Sequence, residues 1–125
     1  AFGNDTTVTW VRKGENYCVT RQLPGNREQR VFLEPTRHAV HERLLLLYSI
    51  CCPATPDFYE QALLQNAVVL HGSLAIREIE GRKMFVVINA YPRSTVAPEE
   101  IRSSVVEIAA QADHVEQHLT GLDRN

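Results

Sequence analysis

The sequence APEEIRSSVVEIAAQADHVEQHLTG occupies positions 97–121, and its pattern decides the fold. Its apolar side chains recur at steps of three or four residues, which places them on one side of an α-helix. They are Ile101, Val105, Ile108, Ala112, Val115 and Leu119. Pro98 suits the first helical position, and Gly121 is typical of a helix end. A helix with one apolar stripe needs an apolar surface to cover.

Strands in the preceding sequence would provide this surface. Residues 7–10 and 17–20 are rich in β-branched and aromatic side chains, and residues 30–34 alternate between apolar and polar. Between the second and third of these stretches, Pro-Gly at 24–25 is a strong turn signal. We therefore predict an antiparallel hairpin at this turn, preceded by one further strand.

The run LLLLYSICC at 44–52 is apolar on both faces of a strand. Its length and the closing Pro53 favour a central strand that is covered on both sides. A buried helix is the alternative, because leucine is a good helix former. The nearby Pro56, together with Tyr48 and Ile50, favours the strand.

A helix and a second hairpin follow in the sequence. The helix begins at Pro56 and ends at His71-Gly72, and two alternating stretches at 73–80 and 83–91 flank a turn. The order of strands, helix, strands and helix predicts an α+β fold, in which an antiparallel sheet carries two helices on one face. The apolar side of the first helix is predicted to hold Phe58, Ala62, Leu63, Ala67 and Leu70.

Length and composition indicate one ordinary domain over residues 1–125. Hydrophobic residues make up 44% of the chain and the net charge is −2. A small negative charge does not favour binding to nucleic acid or to an anionic membrane surface. No apolar run approaches the ~18 residues of a membrane span. Residues 1–7 are small and polar, so we expect a frayed start. Ala1 in place of methionine predicts a domain boundary with residues missing upstream.

Histidines offer the first candidates for chemistry. His114 and His118 lie four residues apart on the predicted last helix, a spacing that would suit two ligands of one metal ion. No third ligand follows from the spacing, so we expect exposed histidines and no metal. His38 and His41 are interpreted as part of a solvated turn.

Cysteines offer the second candidates. The chain has three, of which Cys51 and Cys52 are adjacent, a pattern that favours a reducing cytoplasm over a disulfide framework. Cys51 and Cys52 could form a reactive thiol pair near a helix start, but buried structural cysteines are more common. No nucleophile motif or phosphate-binding loop is visible, so we expect no enzyme and no cofactor.

Residues 57–121 resemble a known group of proteins. The stretch FYEQALLQN at 58–66 is similar to the second helix of the type III secretion chaperones (Tir chaperone class) and of the YbjN-like proteins. In both, a motif of the form aLLxxN leads into a strand similar to GSLAI, here at 72–76. A turn, a second apolar strand and PEEI at 98–101, which opens a long final helix, complete the resemblance.

This resemblance implies a small α+β domain that often dimerises and binds another protein without catalysis. In the secretion chaperones, an extended segment of the partner wraps apolar patches and adds strands to the sheet. Their amphipathic first helix has no counterpart here, and the charge of −2 is milder than theirs. The resemblance therefore extends to the fold better than to the secretion role.

We expect a non-enzymatic, cytoplasmic homodimer that holds a segment of a partner, effector-like protein. Two alternatives stay open: a YbjN-like regulatory module within a longer protein, and a small thiol-dependent enzyme using Cys51 or Cys52. A chaperone of this kind must expose apolar residues on a strand face. The candidates are Val31 and Leu33, on a strand that could form a sheet edge, and then Leu45 and Leu47; the alternative places all four in the core or a dimer interface.

Overall fold

A computed structural model describes residues 8–14, 16–37, 43–68 and 71–123. Over these residues the chain forms six strands and two α-helices, with a short 3-10 turn at Pro56–Phe58 before the first helix. The elements are β1 (Val8–Lys13), β2 (Asn16–Leu23), β3 (Arg27–Arg37), β4 (Arg43–Pro53), α1 (Tyr59–Asn66), β5 (Ser73–Ile79), β6 (Arg82–Pro92) and α2 (Pro98–Asp123).

The strands form one antiparallel sheet in the order β1-β2-β3-β4-β6-β5. Short turns join β1 to β2, β2 to β3 and β5 to β6, and the hairpins at Pro24-Gly25 and at Gly81 are those predicted from the sequence. Residues from α1 and α2 belong to one core cluster on one face of the sheet. The predicted α+β fold, with an antiparallel sheet and two helices, is therefore confirmed. β1 and β5 lie at the two edges.

The apolar run 44–52 lies within β4, so the strand interpretation is confirmed and the buried helix is wrong. β4 pairs with β3 on one side and with β6 on the other. Leu47 and Cys51 face the helices and belong to the core cluster. Tyr48 lies on the opposite face, which neither helix of the described residues covers, because the two helices pack on the same side.

The predicted apolar stripe of α2 forms the centre of the core. Ile101 is partly buried, and the next five positions of the stripe are completely or almost completely buried. Glu107, on the outer side of α2, is exposed. In the described part of the chain, no helix combines the length and the apolar composition needed to cross a membrane.

Polar contacts fix the position of α2 over β3. Arg27 donates from Nε and Nη2 to the two carboxylate oxygens of Asp113, at 2.9 and 3.0 Å. Gln29 donates from Nε2 to Glu116 at 3.1 Å and accepts a hydrogen bond from Ser49 Oγ, also at 3.1 Å. Gln29 and Ser49 are buried, so these bonds satisfy groups whose burial would otherwise be costly.

The four residues predicted to bind a partner lie on the face that α2 covers. Val31, Leu33 and Leu47 have exposed fractions of 0%, 7% and 0%, and Leu45 is partly buried against the same core. β3 pairs with strands on both sides and is not an edge. The prediction that these side chains are exposed in the free protein is therefore wrong. Alternation shows which residues share a face, but it does not show which face the helix covers.

Candidate functional site

An open apolar pocket of about 230 Å³ lies between α1 and the β5 edge of the sheet. Pro56 begins the 3-10 turn that leads into α1. In the first turn of α1, Tyr59 packs edge-on against Phe85, with ring centroids 6.2 Å apart. The small side chain of Ala62 is buried against the sheet one turn later. The lining consists of Tyr59, Ala62, Leu63, Leu74, Ala75, Ile76 and Phe85.

Large apolar side chains at the rim of this pocket remain open to solvent. Leu63 is 70% exposed and Ile76 is 45% exposed. Leu64, next in the chain, is 56% exposed but is not part of the lining. An apolar concavity with an exposed apolar rim is typical of a site that binds another molecule.

The sequence pattern did not predict this exposure. It placed Leu63 on the buried side of its helix with Phe58 and Ala62, and only the latter two contribute to the core. For Leu63 and Ala67, which are exposed, the prediction is wrong. Leu70, from the same prediction, lies outside the described residues. α1 is short and lies at the edge of the sheet, so a smaller part of its surface meets the core than a 3.6-residue period suggests.

The backbone of β5 is held at its open edge by a side chain of α1. Asn66 donates from Nδ2 to the carbonyl oxygen of Leu74 at 3.0 Å, and its Oδ1 accepts from the Leu74 N–H at 2.6 Å. The side-chain amide thus occupies the position that a peptide group of a neighbouring strand would take. Asn66 therefore completes the backbone hydrogen bonding of the β5 edge at this one residue.

A second exposed apolar group lies at the other end of the sheet, on β1 and β2. Trp10 is 52% exposed, and Val11 and Tyr17 are also exposed. The rings of Trp10 and Tyr17 have centroids 5.9 Å apart, and the Arg12 guanidinium lies 5.9 Å from the centre of the Tyr17 ring. Both edges of the sheet therefore present large apolar side chains to solvent.

An aromatic and charged cluster lies on the face opposite the helices. Phe32 stacks on Tyr48 with ring centroids 5.1 Å apart, and the Arg77 guanidinium carbon lies 4.3 Å from the centre of the Tyr48 ring. Glu34 accepts hydrogen bonds from Tyr48 Oη and Arg77 Nη2, both at 2.9 Å. Burial, together with the bond to Glu34, raises the pKa of Tyr48 to about 12.

A second pocket, of about 320 Å³, extends from this cluster towards β2. Its lining combines the opposite charges of Arg30 and Glu34 with Phe32, Cys18 and other side chains. This mixture selects no single ligand chemistry, whereas the pocket beside α1 is almost wholly apolar.

The cysteine candidates lie at the end of β4. Cys51 is buried and Cys52 is half-buried, and both are free thiols. Burial raises the pKa of Cys51, and it raises the pKa of Cys52 to about 11. Both shifts lower the thiolate fraction at neutral pH, which is the opposite of what a nucleophilic thiol needs.

The histidine candidates do not come together. His114 and His118 are exposed on α2. The described ranges contain no group of three or more His, Cys, Asp or Glu side chains that could hold a metal ion. His38 and His41 lie outside the described residues, so the prediction of a solvated turn there stays a prediction.

The sequence pattern missed one contact between a serine and a histidine. His71 Nε2 lies 2.8 Å from Ser104 Oγ, 3.3 Å from Asn89 Nδ2 and 3.4 Å from Tyr91 Oη. Ser104 and His71 are 33 positions apart, so no local spacing could have connected them. Ser104 has no exposed surface, and a substrate could reach its hydroxyl only if α2 moved away. The contact instead ties α2 to the segment that precedes β5.

No family model, curated protein or solved structure matches the chain. The resemblance to secretion chaperones and YbjN-like proteins therefore stays a prediction from the sequence. The interpretation of the pocket between α1 and β5 rests on its own geometry.

Proposed function

We propose that the protein is a non-enzymatic binding domain that holds a segment of a partner protein in the pocket between α1 and β5. The observation that carries this proposal is the continuity of the apolar pocket with the exposed side chains of Leu63 and Ile76. Such a lining suits an apolar side chain of a peptide better than a polar metabolite. Burial of one leucine-sized side chain there would contribute about 1.5–3 kcal/mol.

More specifically, we propose that the protein is a chaperone similar to the type III secretion chaperones, with an effector-like protein as its partner. A pocket at the sheet edge allows a segment to be held in extended form, because an edge strand offers unpaired backbone groups. The chain has three cysteines, an odd number of which two are adjacent, and this pattern suits the reducing cytoplasm in which such a chaperone would work.

We also propose that the protein forms a homodimer through the β1 edge. Trp10, Val11 and Tyr17 would supply the apolar contact. An antiparallel pairing of two β1 strands centred on Trp10 places Arg12 opposite Val8 of the second copy, so that no like charges face each other.

Sedimentation analysis tests the dimer. The wild-type protein should sediment as a dimer and Trp10→Asp as a monomer, because the substitution places two carboxylates at the centre of the interface. Val68→Asp, at an exposed position in the other half of the molecule, is the control and should remain a dimer. A monomeric wild-type protein, or a dimeric Trp10→Asp variant, would contradict this surface.

Peptide binding tests the proposed pocket. A random peptide library displayed on phage is enriched on the immobilised wild-type protein, and the enriched peptides are synthesised. Leu63→Asp should weaken their binding at least tenfold, a change of about 1.4 kcal/mol, because the carboxylate would lie at the mouth of an apolar pocket.

Leu64→Asp is the matched control, since this neighbouring leucine is also exposed but does not line the pocket. It should bind the same peptides within about twofold of wild type, because surface substitutions away from a contact have small effects. Equal loss in both variants, or a library in which no peptide is enriched, would contradict the proposed function.

A further inference from the structure

We propose that the partner segment binds as an added strand on the open edge of β5, with its end fixed by Asn66, and that it belongs to a different protein rather than to a second copy. This inference rests on the proposed function, because it concerns the same pocket. It specifies which backbone groups hold the segment and in which register.

Hydrogen bonding to Asn66 shows which backbone groups of β5 face outward. Both the N–H and the C=O of Leu74 bond to Asn66, so both point away from β6. In an antiparallel strand these groups face the same side at every second residue. The N–H and C=O groups of Ile76 and Glu78 therefore also face the open edge.

The turn between β5 and β6 gives the same alternation independently. Glu80 and Gly81 have φ values of 51° and 78°, as in a two-residue type I′ turn. The pair that closes such a turn, here Ile79 and Arg82, is hydrogen-bonded across the hairpin. Odd-numbered residues of β5 therefore bond to β6, and even-numbered residues are left for the edge.

Side-chain direction links this edge to the pocket. Ile76 lines the pocket, on the face of the sheet that carries α1. A residue of an added strand directly opposite Ile76 would project to the same face, beside Leu63. The next residue along the segment would lie on the other face, beside Arg77, which forms an ion pair with Glu34. We therefore expect an apolar residue opposite Ile76 and no Arg or Lys opposite Arg77.

Asn66 limits the length of the added strand. Its amide already satisfies Leu74, so the segment can pair with Ile76 and Glu78 but not continue past them towards the start of β5. The side chain acts as a stop that sets the register of the segment. Register would otherwise be weakly specified on an open edge.

Charge argues against a second copy of β5 as the occupant. A two-fold pairing that uses both Ile76 and Glu78 places Arg77 directly opposite Arg77 of the other copy. A pairing centred on Glu78 brings two carboxylates together, and one centred on Ile76 meets the Leu74 groups that Asn66 already occupies. Like charges directly opposite destabilise a strand pair. A segment of another protein avoids all three conflicts.

Amide hydrogen exchange followed by NMR tests the added strand, with one of the enriched peptides as the probe. At saturation the exchange of the Ile76 and Glu78 amides should slow at least tenfold, while that of Leu74 stays unchanged. In Asn66→Ala the Leu74 amide is released, and it should then slow on peptide binding. If this variant does not fold, the three amides of the wild-type protein still decide the register.

The outcomes separate this inference from the proposed function. If Leu63→Asp abolishes binding but the Ile76 and Glu78 amides of wild type do not slow, the peptide uses the pocket without adding a strand, and the inference is overturned alone. If these amides are protected without peptide in a manner that depends on protein concentration, a second copy occupies the edge, and the choice of partner is overturned. If no peptide binds, both proposals fail.

Discussion

Val31 has no exposed surface and lies in β3 beneath α2. Val31→Asp would bury an unpaired carboxylate and should lower the free energy of unfolding by about 3 kcal/mol or more. Urea or thermal unfolding measures this loss. Val68→Asp, at an exposed position just after α1 and outside the proposed dimer contact, is the control and should change stability by less than about 0.5 kcal/mol. A Val31→Asp protein as stable as wild type would contradict the position of this residue in the core.

Tyr48 donates a hydrogen bond from its phenol to Glu34. Its pKa rises from the ordinary value of 10 to about 12, first because of burial. The folded state thus favours the neutral phenol, and this contribution to stability is present below pH 10 and lost as the pH rises through 12. Ultraviolet absorbance should detect one tyrosine that ionises near pH 12, and Tyr48→Phe should remove that step. Ionisation of Tyr48 near pH 10 would contradict the buried position.

The turn that joins β5 to β6 contains one residue in an unfavourable backbone conformation. Glu80 has a φ of 51°, in the left-handed region that costs most side chains about 1–2 kcal/mol. Asn tolerates this region and Asn-Gly is the preferred type I′ pair, so Glu80→Asn should raise the free energy of unfolding by about 1 kcal/mol. Glu78→Asn, within β5, is the control and should not stabilise, because Asn is disfavoured in strands. A lower melting temperature for Glu80→Asn would contradict the turn type.

Helices and strands differ in how far the sequence predicts them. The stripe of α2 is long and regular, so one period determined both the helix and its buried side. For β3, alternation correctly placed Val31 and Leu33 on one face, but the position of the strand in the sheet depends on pairings between distant residues. The pocket beside α1 could not be predicted, because it arises from the separation of a short helix and an edge strand.

For the whole molecule, the two edges of the sheet are suited to different contacts. The β1 edge carries the aromatic side chains of Trp10 and Tyr17, and the β5 edge carries an apolar pocket and a side-chain stop. The two edges lie at opposite ends of the strand order, so one protein could dimerise at β1 and hold a partner at β5 without competition. Partner binding should therefore be confined to the β5 edge and α1.

Hydrogen exchange over the whole chain, followed by mass spectrometry with and without an enriched peptide, shows which segments the peptide protects. Saturating peptide should slow exchange in the segments that contain α1 and β5, and leave the segments of β1, β2 and β3 unchanged. At the same peptide concentration Leu64→Asp should give the same map, and Leu63→Asp should give weaker protection in α1 and β5. Slowed exchange in β1 and β2, with α1 and β5 unchanged, would contradict binding at the β5 edge.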